Sequence, residues 1–454
     1  MIDPTGFAAT GPAAPPPDLP IVVRQARPGD TRAVLDFTRG TWDGWDYIPR
    51  VWHAWLEAPD GVLLVATPNV HRQLDLYGRP LSPDRPIGIA RVAILSEREA
   101  WLEGLRVDPG VRQRGVARLL HGACLVWARA QGATTVRYAT GEENEGSHRL
   151  GAYHGFRLLR PWRSYQPPHE PVEDVAEDAV DAEAVATSED ELADLADDAP
   201  GEVPFDVAAR VAGAPMEVAS SAPELPAQAP AEVSGPGRRQ LRRAGLLLDP
   251  HASSEALARW WARVDADETF ALGDRLYEFR SWAFQELTIE RFTAHVRSGE
   301  VLVREAAAEA PAGMERVAAV EAGRPAGPAT RRGGRHASRP VWGLAIMPLG
   351  RDLAPGERPW AALVAGDGDA VLRLAVAARQ ALGHPIRLRV PDGAPLVADR
   401  LEAFVAAGFP PADGTLHILA RRLGPDDPID MGPPGAVLLA DPPRRVAAPP
   451  MMAR

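Results

Sequence analysis

The chain has 454 residues, a formal net charge of −11, a single cysteine and no lysine, so that all 50 basic side chains are arginine. That length predicts two or three domains, each able to bury a core. One cysteine excludes a disulfide framework and points to a reducing, cytoplasmic setting, while the missing lysine removes Walker-type phosphate, kinase and Schiff-base lysines from consideration.

Residues 1–20 are rich in Pro and Ala without a continuous apolar stretch, so a disordered N-terminus and no signal peptide are expected. No run elsewhere is long and apolar enough to span a bilayer, and no membrane partner is expected. Ile21 to Gln25 reads as a strand, and Pro28-Gly29-Asp30 leads into a helix at Arg32 to Arg39. The aromatic segment Thr41 to Pro49 is too broken by Gly and Pro to be regular. Arg50 to Leu56 reads as a helix, and Val62 to Ala66 and Ile87 to Leu95 as strands around a polar loop at Asn69 to Asp84.

In Trp101 to Val107 the larger apolar residues alternate with period two, which predicts a strand closed by the Asp108-Pro109-Gly110 turn. Arg112, Arg114 and Gly115 then precede a helix whose apolar face is Val116, Leu119, Leu120, Ala123, Cys124 and Trp127, ending at Gly132. Glycine lets a backbone approach a ligand closely, and the first amides of a helix have no internal partner. An anion such as a phosphate is therefore favoured at this turn. A strand at Thr134 to Ala139 and a short helix from Ser147 to Tyr153 follow, before Gly155-Phe156. Cys124 lies on the core face of its helix with no base beside it, which argues against a nucleophile.

Arg112-Gln113-Arg114-Gly115-Val116-Ala117 resembles the R/Q-x-x-G-x-G/A motif of the GNAT (Gcn5-related) N-acetyltransferases, following a strand that ends Leu-Arg-Val-Asp-Pro. Asn144, Ser147 and Gly155-Phe156 resemble that family's downstream spacing, and the resemblance covers about residues 20 to 166. TWDGWDYIPRVWHAWLEAPDG together with EGLRV is most similar to the subgroup containing histidine N-acetyltransferases.

The resemblance implies acetyl-CoA as cofactor, with the Leu105-Arg106-Val107 backbone against the pantetheine and the amides from Gln113 through Gly115 and Val116 to Ala117 on the pyrophosphate, assisted by Arg112 and Arg114. It implies that Asn144 and Ser147 contact the cofactor arm and that Trp42, Asp46 and Tyr47 wall the acceptor site. An attacking amine must lose its proton, and Glu103, in mid-strand, is the candidate base, with Glu99 behind it. The departing thiolate needs an acid. The position of the family's usual tyrosine is Gly151 here, so Tyr153, two residues on, is the candidate, with water as the other source.

From Pro167 to Pro236 there are 18 Asp and Glu against Arg210 alone, so this segment carries about −17 and the rest of the chain about +6. Rich in Ala and Pro and poor in aromatics, residues 167–239 are expected to be a disordered acidic linker. Beyond it, Trp260 to Gly299 reads as helical. Strands are predicted at Val301 to Arg304, Glu315 to Glu321, Val341 to Met347 and Trp360 to Val364, with a Gly/Arg-rich loop at Gly323 to Arg339. A helix marked by Val371, Leu374, Ala375, Ala378 and Leu382, a strand at Ile386 to Val390, a helix at Leu396 to Ala407 and a strand at Thr415 to Arg421 complete the series. This order repeats that of residues 21–166, predicting a second GNAT-like domain at 240–425 and a Pro-rich, disordered tail at 426–454. Asp367 and Asp369 stand where the first copy has its arginines. Two carboxylates repel a diphosphate, so the second copy is expected to be degenerate.

No spacing of His, Cys or carboxylates suggests a metal, and Arg331 to Arg335, without interleaved aromatics, does not suggest nucleic acid. The expected architecture is an α/β (α+β) protein of tandem GNAT-like domains, each a mixed twisted sheet with flanking helices. The expected function is transfer of acetyl from acetyl-CoA to a small primary amine such as an amino acid. A protein N-terminal or side-chain acetyltransferase and a non-catalytic acyl-CoA-binding scaffold remain as alternatives.

Overall fold

The computed structural model describes residues 19–39, 41, 46–69, 73–167, 236–280, 282–306, 341–348, 359–430 and 437–439, all within one compact unit. The first part of the chain runs β1 (Ile21–Gln25), α1 (Thr31–Thr38), α2 (Ile48–Glu57), β2 (Gly61–Pro68), β3 (Gly88–Ser96), β4 (Glu99–Val107), α3 (Val116–Ala130), β5 (Thr135–Gly141) and α4 (Glu145–Tyr153). Strands β1 to β4 pair antiparallel in sequence order, and β5 adds parallel to β4. β2 and β3 are nearly continuous apolar runs because both faces of the sheet are covered. One face meets Leu119, Leu120, Ala123 and Trp127 of α3, and the other meets Val34, Phe37, Ile48 and Trp52 of α1 and α2. The apolar stripe of α3 recurs at intervals of three and four residues, and burying each of its leucines is worth roughly 1.5–3 kcal/mol.

After α4 come β6 (Arg157–Leu158) and β7 (Trp162–Tyr165). The described chain resumes with α5 (Pro236–Arg243), α6 (Ser254–Asp265), α7 (Glu268–Leu272), the hairpin β8 (Leu276–Arg280) and β9 (Ala283–Glu286), α8 (Ile289–Arg297), β10 (Val301–Ala306) and β11 (Val341–Ile346). Then follow β12 (Trp360–Ala361), β13 (Leu363–Gly366), α9 (Gly368–Leu382), β14 (Arg387–Pro391), α10 (Pro395–Ala398), α11 (Leu401–Ala406), β15 (Leu416–Arg422) and β16 (Val437–Leu439). Strands β10, β11 and β13 form their own antiparallel sheet.

The two parts of the chain are joined by an exchange of strands. β15, from the end of the chain, pairs antiparallel with β5 from Leu416↔Gly141 to Arg422↔Thr135. In return β7 pairs antiparallel with β14, from Leu388↔Tyr165 to Pro391↔Trp162. An eleven-stranded sheet results, in the order β12-β14-β7-β15-β5-β4-β3-β2-β1-β16, with β6 beside β15. Trp101 and Trp162 consequently share one buried cluster with Phe284, Phe292, Trp360 and Ile418.

Several expectations need correction. Trp260 to Gly299 is not all helix, because Leu276–Glu286 forms the β8–β9 hairpin, whose Tyr277, Phe279 and Phe284 are strand-favouring aromatics that become buried. Leu396 to Ala407 is two short helices, broken at Asp399 and Arg400. The end of the segment expected as linker is ordered: Pro236–Arg243 is helical, with Leu241 fully buried. The tail also contributes structure. Val437–Leu439 pairs parallel with β1, Arg129 donates to the Asp427 carbonyl at 2.7 Å, and Asp430 carbonyl approaches α3 at Gly122, where any Cβ would collide with it. The Glu315–Glu321 strand, the Gly/Arg-rich loop at Gly323 to Arg339, residues 168–235 and Trp42 lie outside the described residues.

Candidate functional site

The site begins where two parallel strands part. β4 and β5 pair from Glu99↔Thr135 to Trp101↔Arg137, yet β4 continues to Val107 and β5 to Gly141. Beyond Trp101 and Arg137 a wedge therefore opens between them. A bulge sets which groups of β4 face it: Ile89 pairs with Arg106 and Arg91 with Glu103, so Gly104 and Leu105 together oppose Ala90, with Gly104 at φ 69°. Gly104 has no room for a side chain, since a Cβ there would meet the Trp55 ring. Just past the strand, Asp108 N–H donates to Ile87 carbonyl at 2.9 Å, toward β3. Alternate residues of a strand direct their backbone groups to opposite edges, so Leu105 and Val107 turn theirs toward the wedge.

The wedge leads to the arginine-rich turn. Asp108 accepts from Gly110 N–H at 2.8 Å, Gln113 holds φ 64° and Gly115 φ 79°, and α3 starts at Val116 without a side-chain cap or an acidic residue in its first turn. Left-handed backbone at Gln113 and Gly115 followed by uncapped amides makes a concavity suited to an anion. A Cβ on Gly115 would meet nothing within 4 Å, so the space over the turn is open. Arg112 is exposed. Arg114 donates through Nη2 to Leu74 carbonyl at 3.4 Å, while its buried Nε has no partner among the described residues. Val116 and Ala117 supply the first helical amides. The set fits a diphosphate.

At the other wall of the wedge, Asn144 caps α4 by accepting from Ser147 N–H at 3.1 Å. Ser147 carbonyl in turn accepts from the Tyr138 hydroxyl at 2.9 Å, and burial pushes this phenol up to about 12. A Cβ at Gly151 would overlap the Tyr138 oxygen, which explains why no side chain stands there. The expectation for Tyr153 fails on helical geometry. Two residues place it about 200° around α4 from Gly151, and the structure leaves it 42% exposed with the Arg118 guanidinium 4.0 Å from its ring. Tyr153 is a surface partner of Arg118, and Tyr138 is the phenol next to Gly151.

On the opposite face of β4, the side chains of Glu99, Trp101, Glu103 and Arg106 follow one another. Glu99 is buried and holds Arg137 at 2.6 Å, Arg291 at 2.7 Å and the Glu286 N–H at 3.0 Å. Burial would raise its pKa, but Arg291, the Glu286 amide and Arg137 together keep it below the ordinary carboxylate value. It is a structural anion and no reserve base. Glu103 accepts through Oε1 from Arg91, its cross-strand neighbour, and from Arg280 at 2.7 Å; among the described residues no partner is recorded for Oε2. Arg91 continues to Asp60.

Asp46 and Tyr47, expected at the acceptor site, are held by contacts within the fold. Asp46 pairs with Arg106 at 2.7 and 3.0 Å and also accepts from Ile48 N–H, and its side chain is 1% exposed, so it has no free edge for a cationic amine. The Arg106 guanidinium is drawn to Asp46 and away from any cofactor role. Tyr47 hydroxyl accepts from Gly104 N–H at 3.2 Å, its ring packs edge-on to Trp55, and burial raises its pKa, which keeps the phenol protonated. Asp46 and Tyr47 brace the bulge that shapes the wedge.

Arg91, Tyr138 and Arg280 were not anticipated. A lone arginine in the apolar run of β3 was the available signal for Arg91, whereas Arg280 meets Glu103 across 177 positions of chain without a local cue. In the C-terminal part, β12 pairs parallel with β14 only at Trp360↔Arg387 and Ala361↔Leu388, and β13 then departs to pair with β11. That opening is filled: Glu278 N–H donates to Ala362 carbonyl, Trp360 Nε1 to Glu278 carbonyl, and Gly366 N–H to Asp267. Asp367 caps α9 through the amides of Asp369 and Ala370, occupying with its own carboxylate the position an anion would take. A cavity of about 420 Å³ beside Asp267, Trp342 and Gly366 lies away from the wedge of β4 and β5. Among the described residues no group of three or more His, Cys, Asp or Glu is placed to hold a metal, and no helix is long and apolar enough to cross a membrane.

Residues 37–156 match the family described as "Acetyltransferase (GNAT) family". Curated relatives include "Probable N-acetyltransferase 16" of Homo sapiens, 31% identical over 149 residues, covering 32% of this chain and 36% of that protein. They also include "Histidine N-acetyltransferase" of Xenopus tropicalis, 30% identical over 93 residues, covering 20% of this chain and 24% of that protein. The match thus spans about a third or less of the length of these relatives. Among solved structures, Arabidopsis thaliana NAA60 in complex with acetyl-CoA is similar with 18% identity and a TM-score of 0.27, over 31% of this chain and 86% of that one. The ribosomal-protein-S18-alanine N-acetyltransferase from Escherichia coli gives 17% identity and a TM-score of 0.27, over 33% and 85%.

Proposed function

We propose, on the premise that residues 37–156 form a domain of the GNAT acetyltransferase family, that this protein transfers acetyl from acetyl-CoA to a small primary amine. One observation carries the reading: the wedge between β4 and β5 exposes the backbone edges of Leu105 and Val107 and runs on to the uncapped start of α3. A peptide-like pantetheine would take the hydrogen bonds that a neighbouring strand would otherwise make with Leu105 and Val107. The amides from Gln113 to Ala117, with Arg112 and Arg114, would hold the pyrophosphate, and Asn144 and Ser147 would border the arm.

Acetyl-CoA supplies a thioester carbonyl activated for attack. Glu103 stands beside the β4 bulge on the face of the sheet that meets the β8–β9 hairpin, and its Oε2 would accept the proton of the acceptor amine, directly or through a water, while Arg91 and Arg280 hold Oε1. The leaving thiolate takes its proton from solvent, since Tyr153 faces away. Small-amine transfer is supported by the likeness to a histidine N-acetyltransferase over part of the chain. The C-terminal part serves as a degenerate copy of the same fold. Its strand order, its parting of β12 from β14 and its filled opening support that role, and the buried Cys124 is consistent with a reducing compartment.

The test is thiol release from acetyl-CoA over a panel of amines, amino acids and peptides. Turnover with one or more small amines is expected. Retained acetyl-CoA binding without turnover on any acceptor would instead establish a binding protein.

A further inference from the structure

The β8–β9 hairpin lies along the face of β4 that carries Glu103. Glu286 N–H bonds to Glu99, Phe284 packs 6.3 Å from Trp101, and Arg280 reaches Glu103 at 2.7 Å. Further along the same strand, Arg106 is covered by Asp46 and Tyr47. Glu103 therefore sits in the gap between two covers, with its side chain 14% exposed and that of Arg280 28% exposed.

The hairpin is anchored from below. Glu278, completely buried, accepts from Arg389, from Arg387 at 3.0 Å and from Trp282 N–H at 2.8 Å. Trp282 is held at φ 62° and is half exposed, a left-handed conformation that is unfavourable for a bulky residue. Buried ion pairs thus fix the hairpin against the intrinsic preference of its own turn, and Arg280 is presented at a set position.

A carboxylate and a guanidinium in contact are the complement of an ammonium and a carboxylate in contact. We infer that Arg280 is a specificity-determining residue, which binds a carboxylate adjacent to the amine that Glu103 receives, so that the site takes small acceptors carrying both groups. Resting on the transferase reading above, this assigns the C-terminal part a share in acceptor recognition. Arg280 donates one N–H to Glu103, and a planar guanidinium can offer the others to a second carboxylate.

The experiment compares an α-amino acid with its carboxamide and its decarboxylated amine, using the full chain and Arg280→Gln, with Arg280→Lys as a second variant. Far-ultraviolet circular dichroism establishes that each variant is folded. The full chain is expected to prefer the amino acid, and Arg280→Gln to reduce that preference in kcat/KM about 10- to 100-fold, the size of a charge-assisted hydrogen bond. Lysine restores part of it, and KM for acetyl-CoA is unchanged. An amino-acid-to-amide ratio equal in the full chain and both variants overturns the inference while leaving transferase activity intact. If no acceptor turns over, the transferase reading fails; calorimetric binding of the same three ligands in the presence of coenzyme A then decides the inference, equal affinities overturning it.

Discussion

Replacing Glu99 by Gln probes one of the contacts that tie β4 to the C-terminal part. The carboxylate has 8% side-chain exposure and serves Arg137 and Arg291, whose own side chains are 11% and 14% exposed, as well as the Glu286 amide. Removing one partner of a buried ion pair costs about 3–5 kcal/mol, because the charges left behind are poorly solvated. Glutamine keeps the shape and one acceptor oxygen, so the expected loss is about 3 kcal/mol, read as a shift of the urea midpoint by tryptophan fluorescence. The pH dependence supplies the sign. A carboxylate held below its unfolded-state value contributes stability that is fully present above roughly pH 4.3 and is lost as pH falls through the lower folded value. The gap between wild type and Glu99→Gln should therefore be full at pH 7 and close on acidification. A loss below about 1 kcal/mol at pH 7, or a gap of constant size down to about pH 3, would refute the reasoning.

Gly151→Ala drives a methyl group against the Tyr138 hydroxyl and Leu419, and should lower stability by about 1–3 kcal/mol in a thermal melt. Tyr138→Phe in the same chain should recover part of that loss, and a neutral Gly151→Ala would contradict the packing. Cys124, whose thiol burial pushes up to about 12, should resist disulfide reagents in the native state and react at a rate set by unfolding. His154 is pushed down to about 4, chiefly by burial, so the folded protein disfavours its charged form. Its contribution is full above about pH 6.5 and erodes as pH falls toward 4, and His154→Gln, which keeps a donor for Arg118 carbonyl, should flatten that slope in urea titrations.

The elements nearest the site were legible because each is specified locally. Alternation marked β4, the three-and-four spacing of Leu119, Leu120 and Ala123 marked α3, and Gly115 with Arg112 and Arg114 marked the turn. Side-chain roles were less legible, since they depend on which charge a fold brings alongside. Asp46 reads from the sequence as part of the acceptor wall, whereas Arg106 closes on it, and Glu99 reads as a reserve base, whereas Arg137 and Arg291 surround it. The β8–β9 hairpin was read as helix because its aromatics lie between two true helices, and its strand character is settled by burial against Trp101 and Trp162. The pairing of β7 with β14 and of β15 with β5 leaves no local sequence signal, because each strand's partner lies in a distant part of the chain.

The central proposal is that the turn at Gln113 to Ala117 forms the chain's single coenzyme A site, the amides at the start of α9 being taken by the Asp367 carboxylate. Calorimetric titration of acetyl-CoA into the full chain and into Gly115→Glu tests it most directly, because the open space over Gly115 admits the new side chain and sets its carboxylate against the diphosphate. One molecule bound per chain, with binding lost in the variant, is the predicted result. Two molecules per chain, or undiminished binding by Gly115→Glu, would contradict it.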